Sequence, residues 1–223
     1  MAPFGKFYTY PNNYRVQRCQ ALAELNGLEV TVEPDFQIGV TNKSPEFLAK
    51  FPYGKVPAFE SGDGKLFLTE GQAIARYIAE SGPKASQLIG ADPQTRALVE
   101  MWACFAEQEV GPNVVYPALM TVANLIPYDE AKYQEYVGKF ERALQRIEVA
   151  LQGGKKFLVG DQLTLADVMV LGPLFMSSKF LFDAEMKKLA PSVEGYLRGL
   201  LEVPELKKAF GELGVCEKRV KKE

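Results

Sequence analysis

The spacing of apolar and polar positions divides the chain near residue 82. Before it, short aromatic and β-branched runs alternate with stretches of helical period. After it, helical periods continue almost to the end. Residues 4–10 read as a strand. Asn13 is a good helix N-cap, and Val16, Cys19, Leu22 and Ala23 then fall near one face of a helix that Asn26 and Gly27 stop. Residues 28–32 read as a second strand. Ser44, Pro45 and Glu46 open a short helix. Residues 56–60 and 66–68 read as two strands joined through an Asp63-Gly64 turn. Ala73, Ile74, Tyr77 and Ile78 give a helix over 70–80. The order is therefore β-α-β-α-β-β-α.

Ser81, Gly82 and Pro83 break the chain and begin a polar linker. A long helix starts at Asp92 and Pro93 and runs towards Tyr116, with Trp102, Phe105 and Ala106 on its apolar side. Tyr133, Tyr136, Val137, Phe140, Leu144, Ile147 and Leu151 keep a 3.6-residue period over 129–151. Thr164 and Asp167 form a capping-box pattern before a strongly apolar helix. Short helices follow Pro191 and Pro204. Residues 217–223 are charged and expected in solvent.

Composition narrows the chemistry. None of the 223 residues is histidine. That excludes Ser-His-Asp and Cys-His triads and histidine-ligated zinc. No metal site is expected. Acid–base work falls to Tyr, Cys, Lys, Glu or Asp, or to the ligand itself. The formal charge of −2 gives no reason to expect nucleic-acid binding. No apolar run approaches the ~20 residues that span a bilayer. The start of the chain lacks a secretory h-region. Cys19, Cys104 and Cys216 are widely spaced and form neither a disulfide framework nor a Cys-x-x-Cys motif. A reducing, cytoplasmic setting is the expectation.

Three places could meet on one ligand. Pro57 begins a strand and cannot donate to a ladder. It is either an edge-strand proline or, if the Val56-Pro57 bond is cis, a turn that leaves the Val56 N–H and C=O free for an extended peptide. Thr69, Glu70 and Gly71 open a helix, where free N–H groups favour an anion. Glu70 either takes an ammonium group or only caps the helix. Tyr8, Tyr10 and Asn13 lie at a strand-to-helix turn. Their hydroxyl and amide groups either lower a thiol pKa or pack and cap. A thioredoxin-type oxidoreductase is excluded, because no cysteine lies near the start of the first helix and Cys19 falls within it.

The pattern resembles the glutathione transferase superfamily. The resemblance rests on Gly54-Lys55-Val56-Pro57-Ala58-Phe59, on Leu68-Thr69-Glu70-Gly71-Gln72-Ala73-Ile74, and on the run from Phe157 through Asp161 to Asp167. It implies an α/β thioredoxin-like N-terminal domain over 1–82, a linker over 83–92, an all-α C-terminal domain over 93–212 and a charged tail over 213–223. It also implies glutathione as co-substrate. Val56 and Pro57 would pair with its cysteinyl backbone and Lys55 would reach its glycyl end. Glu70 would hold its γ-glutamyl ammonium. Gly71 stands where the family usually has a serine for the γ-glutamyl carboxylate. Tyr8 and Asn13 are the candidate thiol activators. Within the superfamily, Phe7-Tyr8-Thr9-Tyr10-Pro11, Asn13 and Arg15, the run from Thr41 to Leu48, and Val215-Cys216-Glu217-Lys218 are similar to the N-terminal domain of the gamma subunits of eukaryotic translation elongation factor 1. That likeness implies a module of subunit assembly that binds glutathione, with the nucleotide-exchange subunit as partner and a tendency to form homodimers. The alternative is a free-standing cytosolic glutathione transferase. Whether the chain is an enzyme is left open at this point.

Overall fold

The computed structural model describes residues 3–222. Its first half is a four-stranded sheet of order β2-β1-β3-β4. The elements are β1 (Gly5–Tyr8), α1 (Tyr14–Leu25), β2 (Val30–Val32), α2 (Pro45–Lys50), β3 (Ala58–Ser61), β4 (Phe67–Leu68) and α3 (Gly71–Glu80). β1 pairs parallel with β2 and antiparallel with β3, and β3 pairs antiparallel with β4. Phe7 and Phe59 on the central strands are fully buried. This is the β-α-β-α-β-β-α order that the alternation of strands and helices predicts, and the thioredoxin-like domain that the resemblance implies.

The second half is helical: α4 (Ala85–Ile89), α5 (Pro93–Phe105), α6 (Gly111–Met120), α7 (Glu130–Leu151), α8 (Leu165–Ser177), α9 (Ala184–Leu189), α10 (Pro191–Leu200) and α11 (Pro204–Phe210). α8 is apolar all round and nearly every residue in it is buried. A helix of that composition can only sit in the centre, and α1, α5, α6 and α10 pack on it. α7 buries one stripe, from Tyr133 to Leu151, as its period requires. One apolar core joins the sheet, α1, α3 and the helical half. No helix among the described residues is long and apolar enough to cross a membrane.

Several features differ from the pattern reading. The long helix from 93 is interrupted by a π-turn over Ala106–Val110 and continues to Met120. The linker carries α4, and α9 was not foreseen. Asn26 does more than stop α1. Its amide donates to the Ile78 and Ala79 carbonyls at 2.9 and 3.2 Å, and its carbonyl accepts the Lys84 N–H at 3.0 Å. The charged tail is exposed at Glu217, Lys218, Lys221 and Lys222, as expected, but it is also tied to the fold. The Val220 N–H donates to the Phe180 carbonyl at 2.8 Å, and the Val220 carbonyl accepts the Tyr133 hydroxyl at 2.9 Å. Arg219 pairs with Asp183 at 2.7 Å and Glu141 at 3.2 Å. These partners lie 36 and 78 residues away, beyond any local charge pattern.

Candidate functional site

Strand register brings the three candidate places together. Tyr8 pairs with Ala58 across β1 and β3, and Phe59 pairs with Leu68 across β3 and β4. The next residues on each strand, Thr9 and Tyr10, Val56 and Pro57, Glu70 and Gly71, therefore leave the sheet at one end. Sequence spacing alone could not show this, since it depends on which strands are neighbours.

The Val56-Pro57 bond is cis. Val56 lies outside the ladder, and its main chain makes no hydrogen bond among the described residues. Lys55 is exposed at the turn, 5.9 Å from the Tyr53 ring centre.

Glu70 has φ 63° and ψ 111°. A non-glycine residue there costs on the order of 1–3 kcal/mol and persists only where its surroundings hold it. Its side chain is exposed and makes no capping bond. Gly71 follows as the first residue of α3, where backbone N–H groups have no intrahelical partner. A cavity of about 440 Å³ adjoins it, lined by Glu70, Gly71, Gln72, Arg76, Glu100 and Glu107. A Cβ at position 71 would sit 3.2 Å from Arg15 Cδ and 3.3 Å from Arg15 Cβ. Arg15 fills the space that a side chain would take.

The two candidate activators are engaged by other residues. The Tyr8 hydroxyl donates to Glu60 at 2.7 Å, and its ring packs on Phe47 and Phe51. Burial, together with the Glu60 hydrogen bond, pushes its pKa up. Asn13 caps α1 through Oδ1, which accepts the Arg15 N–H at 3.1 Å. Its Nδ2 donates to Thr9 Oγ1 at 3.1 Å. One further N–H of that amide is uncommitted. Tyr10, on the same turn, is 40% exposed. Cys19 is core, and burial pushes its thiol up to about 12.

Pattern reading passed over a polar cluster behind the turn. Arg18 has a fully buried side chain and donates to Glu107 and to the Met169 carbonyl, the latter at 3.2 Å. Arg15 Nε faces the other Glu107 oxygen at 3.5 Å. Both guanidiniums stand over the Tyr14 ring, at 4.7 and 5.2 Å. Glu107 lies on the π-turn, and such turns often mark functional places in helices. The one signal in the sequence is a pair of arginines, three apart, in the first two turns of α1. Among the described residues no group of three or more His, Cys, Asp or Glu side chains is placed to hold a metal.

Comparison with known proteins agrees with this geometry. The family model of the glutathione S-transferase N-terminal domain matches residues 3–80, and that of the C-terminal domain matches residues 97–204. A glutathione S-transferase-like protein from a Fusarium species is 43% identical over 95% of this chain and 94% of its own length. Human elongation factor 1-gamma is 32% identical over 96% of this chain and 48% of its own length. The glutathione S-transferase-like domain of elongation factor 1-gamma from Saccharomyces cerevisiae superposes with a TM-score of 0.81 over 100% of both chains, at 21% identity. Maize glutathione S-transferase I, in complex with an atrazine–glutathione conjugate, superposes with a TM-score of 0.80 at 28% identity, over 93% of this chain and 96% of its own.

Proposed function

Because this chain belongs to the glutathione S-transferase family, we propose that it binds glutathione at the end of its sheet and transfers the thiol to an electrophile. The observation that carries this reading is the strained backbone of Glu70. It turns an exposed carboxylate and the free N–H groups of α3 towards the same end of the sheet as the unpaired main chain of Val56. An acid beside a helix N-terminus suits a zwitterion. A free peptide edge suits the extended backbone of a tripeptide. Lys55, Val56, Pro57, Glu70 and Gly71 form the binding surface in this reading.

Thiolate stabilisation falls to the turn between β1 and α1. The Tyr8 proton is committed to Glu60, whereas one Asn13 N–H has no partner, so Asn13 is the donor in this reading. Asn13→Asp keeps an effective N-cap but removes that N–H and adds a negative charge. It is expected to lower kcat/KM about tenfold, the effect of one lost hydrogen bond of about 1.4 kcal/mol. Tyr8→Phe is expected to leave kcat/KM within about twofold, while costing roughly 1 kcal/mol of stability. Steady-state kinetics with a chlorodinitrobenzene-type electrophile measures both. A large rate loss in Tyr8→Phe with none in Asn13→Asp would reverse the assignment.

Calorimetric titration with glutathione tests the reading as a whole, and an absence of heat at millimolar ligand would sink it. A cytoplasmic homodimer belongs to the same proposal. All three cysteines are free, which suits a reducing compartment. Leu98 and Met101, 42 and 43% exposed on one face of α5, offer apolar contact to a second copy. Sedimentation at micromolar concentration reports the mass, and a monomer would remove the dimer from the proposal.

A second reading, assembly into a translation elongation factor complex, is supported by the likeness to human elongation factor 1-gamma. It predicts capture of the nucleotide-exchange subunit by the purified chain. The higher identity to the Fusarium relative favours the transferase reading.

A further inference from the structure

We propose that the open edge of β2 docks an extended peptide that carries an apolar side chain and a basic one two residues apart. The proposal is independent of the glutathione reading, because β2 lies on the far side of β1 from β3 and β4, whose ends carry Val56 and Glu70.

Main-chain geometry is the first argument. β2 is an outer strand of the sheet. The Glu29 carbonyl accepts the Phe4 N–H at 2.6 Å, and the Glu33 N–H donates to the Phe7 carbonyl at 2.8 Å. In a parallel ladder alternate residues face the partner strand. Thr31 therefore completes the pairing with β1, and Val30 and Val32 turn their N–H and C=O groups outwards. Such an unpaired row is a template for a further strand. Lysine and proline, which commonly close an edge, do not occur within Val30–Val32.

Space is the second. Two cavities of about 340 Å³ each open beside this edge, one at Val30 and the other at Val32. Gln20 of α1 borders both, so they lie on the same face of the sheet. Side chains two residues apart on a strand share a face and stand about 6.6 Å apart. A strand added opposite Val30 and Val32 points one side chain into each cavity. Strand addition gains its specificity from pockets spaced in this way.

The cavity walls select the occupant. Tyr10, Val16 and Phe36 border the cavity at Val32, which suits an apolar side chain. Glu24, Glu29 and Glu205 border the cavity at Val30, together with Lys208. Lys208 pairs with Glu24 at 2.8 Å, and Glu205 reaches Lys84 only at 3.9 Å. Glu29 is exposed and makes no ion pair among the described residues. A lysine or arginine entering there meets the surplus negative charge. The same charges disfavour a second copy of this chain. Two β2 strands paired antiparallel about Thr31 would set Glu29 opposite Glu33, and like charges directly opposite destabilise a sheet. Antiparallel addition is the more stable kind, and it orders the peptide as apolar-x-basic.

The test titrates the isotope-labelled chain with three end-blocked peptides and follows its amide resonances. They are Thr-Leu-Thr-Arg-Thr, Thr-Leu-Thr-Glu-Thr, and the first of these with the leucine and arginine nitrogens methylated. The arginine peptide is expected to bind with a Kd below about 1 mM and to shift the Val30 and Val32 resonances. The glutamate peptide should bind at least about tenfold more weakly, through charge, and so should the methylated peptide, through its lost donors. Glu29→Arg, at an exposed position, should reverse the preference between the arginine and glutamate peptides. Val32→Pro removes one outward donor without touching the pairing with β1, and should weaken the arginine peptide at least about tenfold with the melting temperature unchanged. Equal binding of the arginine and glutamate peptides would overturn the proposal, as would undiminished binding of the methylated one. No resonance shift with any peptide at millimolar concentration would overturn it too. A dimer that Val32→Pro converts to a monomer would assign the edge to a second copy instead.

Discussion

Asp167→Ala is expected to destabilise the protein by about 4 kcal/mol, although neither the residue nor its hydrogen-bond partners belong to the candidate site. Asp167 is fully buried in the first turn of α8. Its carboxylate accepts the Leu158 N–H at 2.8 Å, the Thr164 N–H at 2.9 Å, the Thr164 hydroxyl at 3.1 Å and the Tyr196 hydroxyl at 2.9 Å. Burial pushes its pKa up, against these donors, which favour the charged form. Alanine removes four acceptor contacts at once and leaves buried donors that water cannot reach. Each orphaned donor costs about 1–3 kcal/mol, with partial relaxation. For a chain of this size, 4 kcal/mol lowers Tm by roughly 10 °C. Asp167→Asn, which keeps one acceptor oxygen, should lose less. A thermal melt within 2 °C of wild type for Asp167→Ala would show that the network does not hold the 158–164 loop onto α8 and α10.

Glu107→Gln carries the second large effect, about 3 kcal/mol, because it leaves the buried Arg18 guanidinium without a counter-charge. Burial pushes the Glu107 carboxyl up, but the Arg18 and Arg15 guanidiniums outweigh it and hold the carboxyl below the ordinary glutamate value. The sign of the pH dependence follows. A carboxyl held low in the fold contributes stability that is full above its unfolded pKa of about 4.3 and is lost as pH falls through the depressed value. Urea unfolding should therefore show the full difference between wild type and Glu107→Gln at pH 7. The difference should shrink as the pH approaches 3. A difference independent of pH over that range would rule out the ion pair as its source. Replacing the pair by Arg18→Met with Glu107→Leu is expected to recover part of the loss, since the fully buried charge of Arg18 is then removed while the half-exposed Arg15 loses its 3.5 Å partner.

The limits of local pattern show in these two clusters. Thr164 and Asp167 were readable as a capping box, because the box spans three residues and has its own signature. The Tyr196 hydroxyl on the same carboxylate was not readable, because it arrives from 29 residues away. Glu107 gave no signal on a helix of ordinary period. Its importance comes from Arg18, 89 residues earlier. The Arg219 clamp on Asp183 and Glu141 follows the same logic. The terminal run is exposed at most of its positions, and only the fold supplies partners for Arg219.

The site divides along the same line. Lys55, Val56, Pro57, Glu70 and Gly71 stand out in the sequence as candidates because each sits in a short motif with its own backbone chemistry. Tyr8 and Asn13 were legible as donors. The structure decided what they donate to: Glu60 for the first and Thr9 for the second. Arg15 carries no local signal of its own, and its position across Gly71 depends on how α1 lies against α3.

The sequence by itself determined the order of strands and helices up to α3, the apolar centre in α8 and the absence of any histidine-based chemistry. Period, caps and composition are local properties, and each element declares them without reference to the others. Only the tertiary structure decided which ends of three strands share an edge, which two arginines share Glu107 and which hydroxyl is already spent. Those outcomes depend on contacts between residues far apart in the chain, and such contacts exist only once the core has closed.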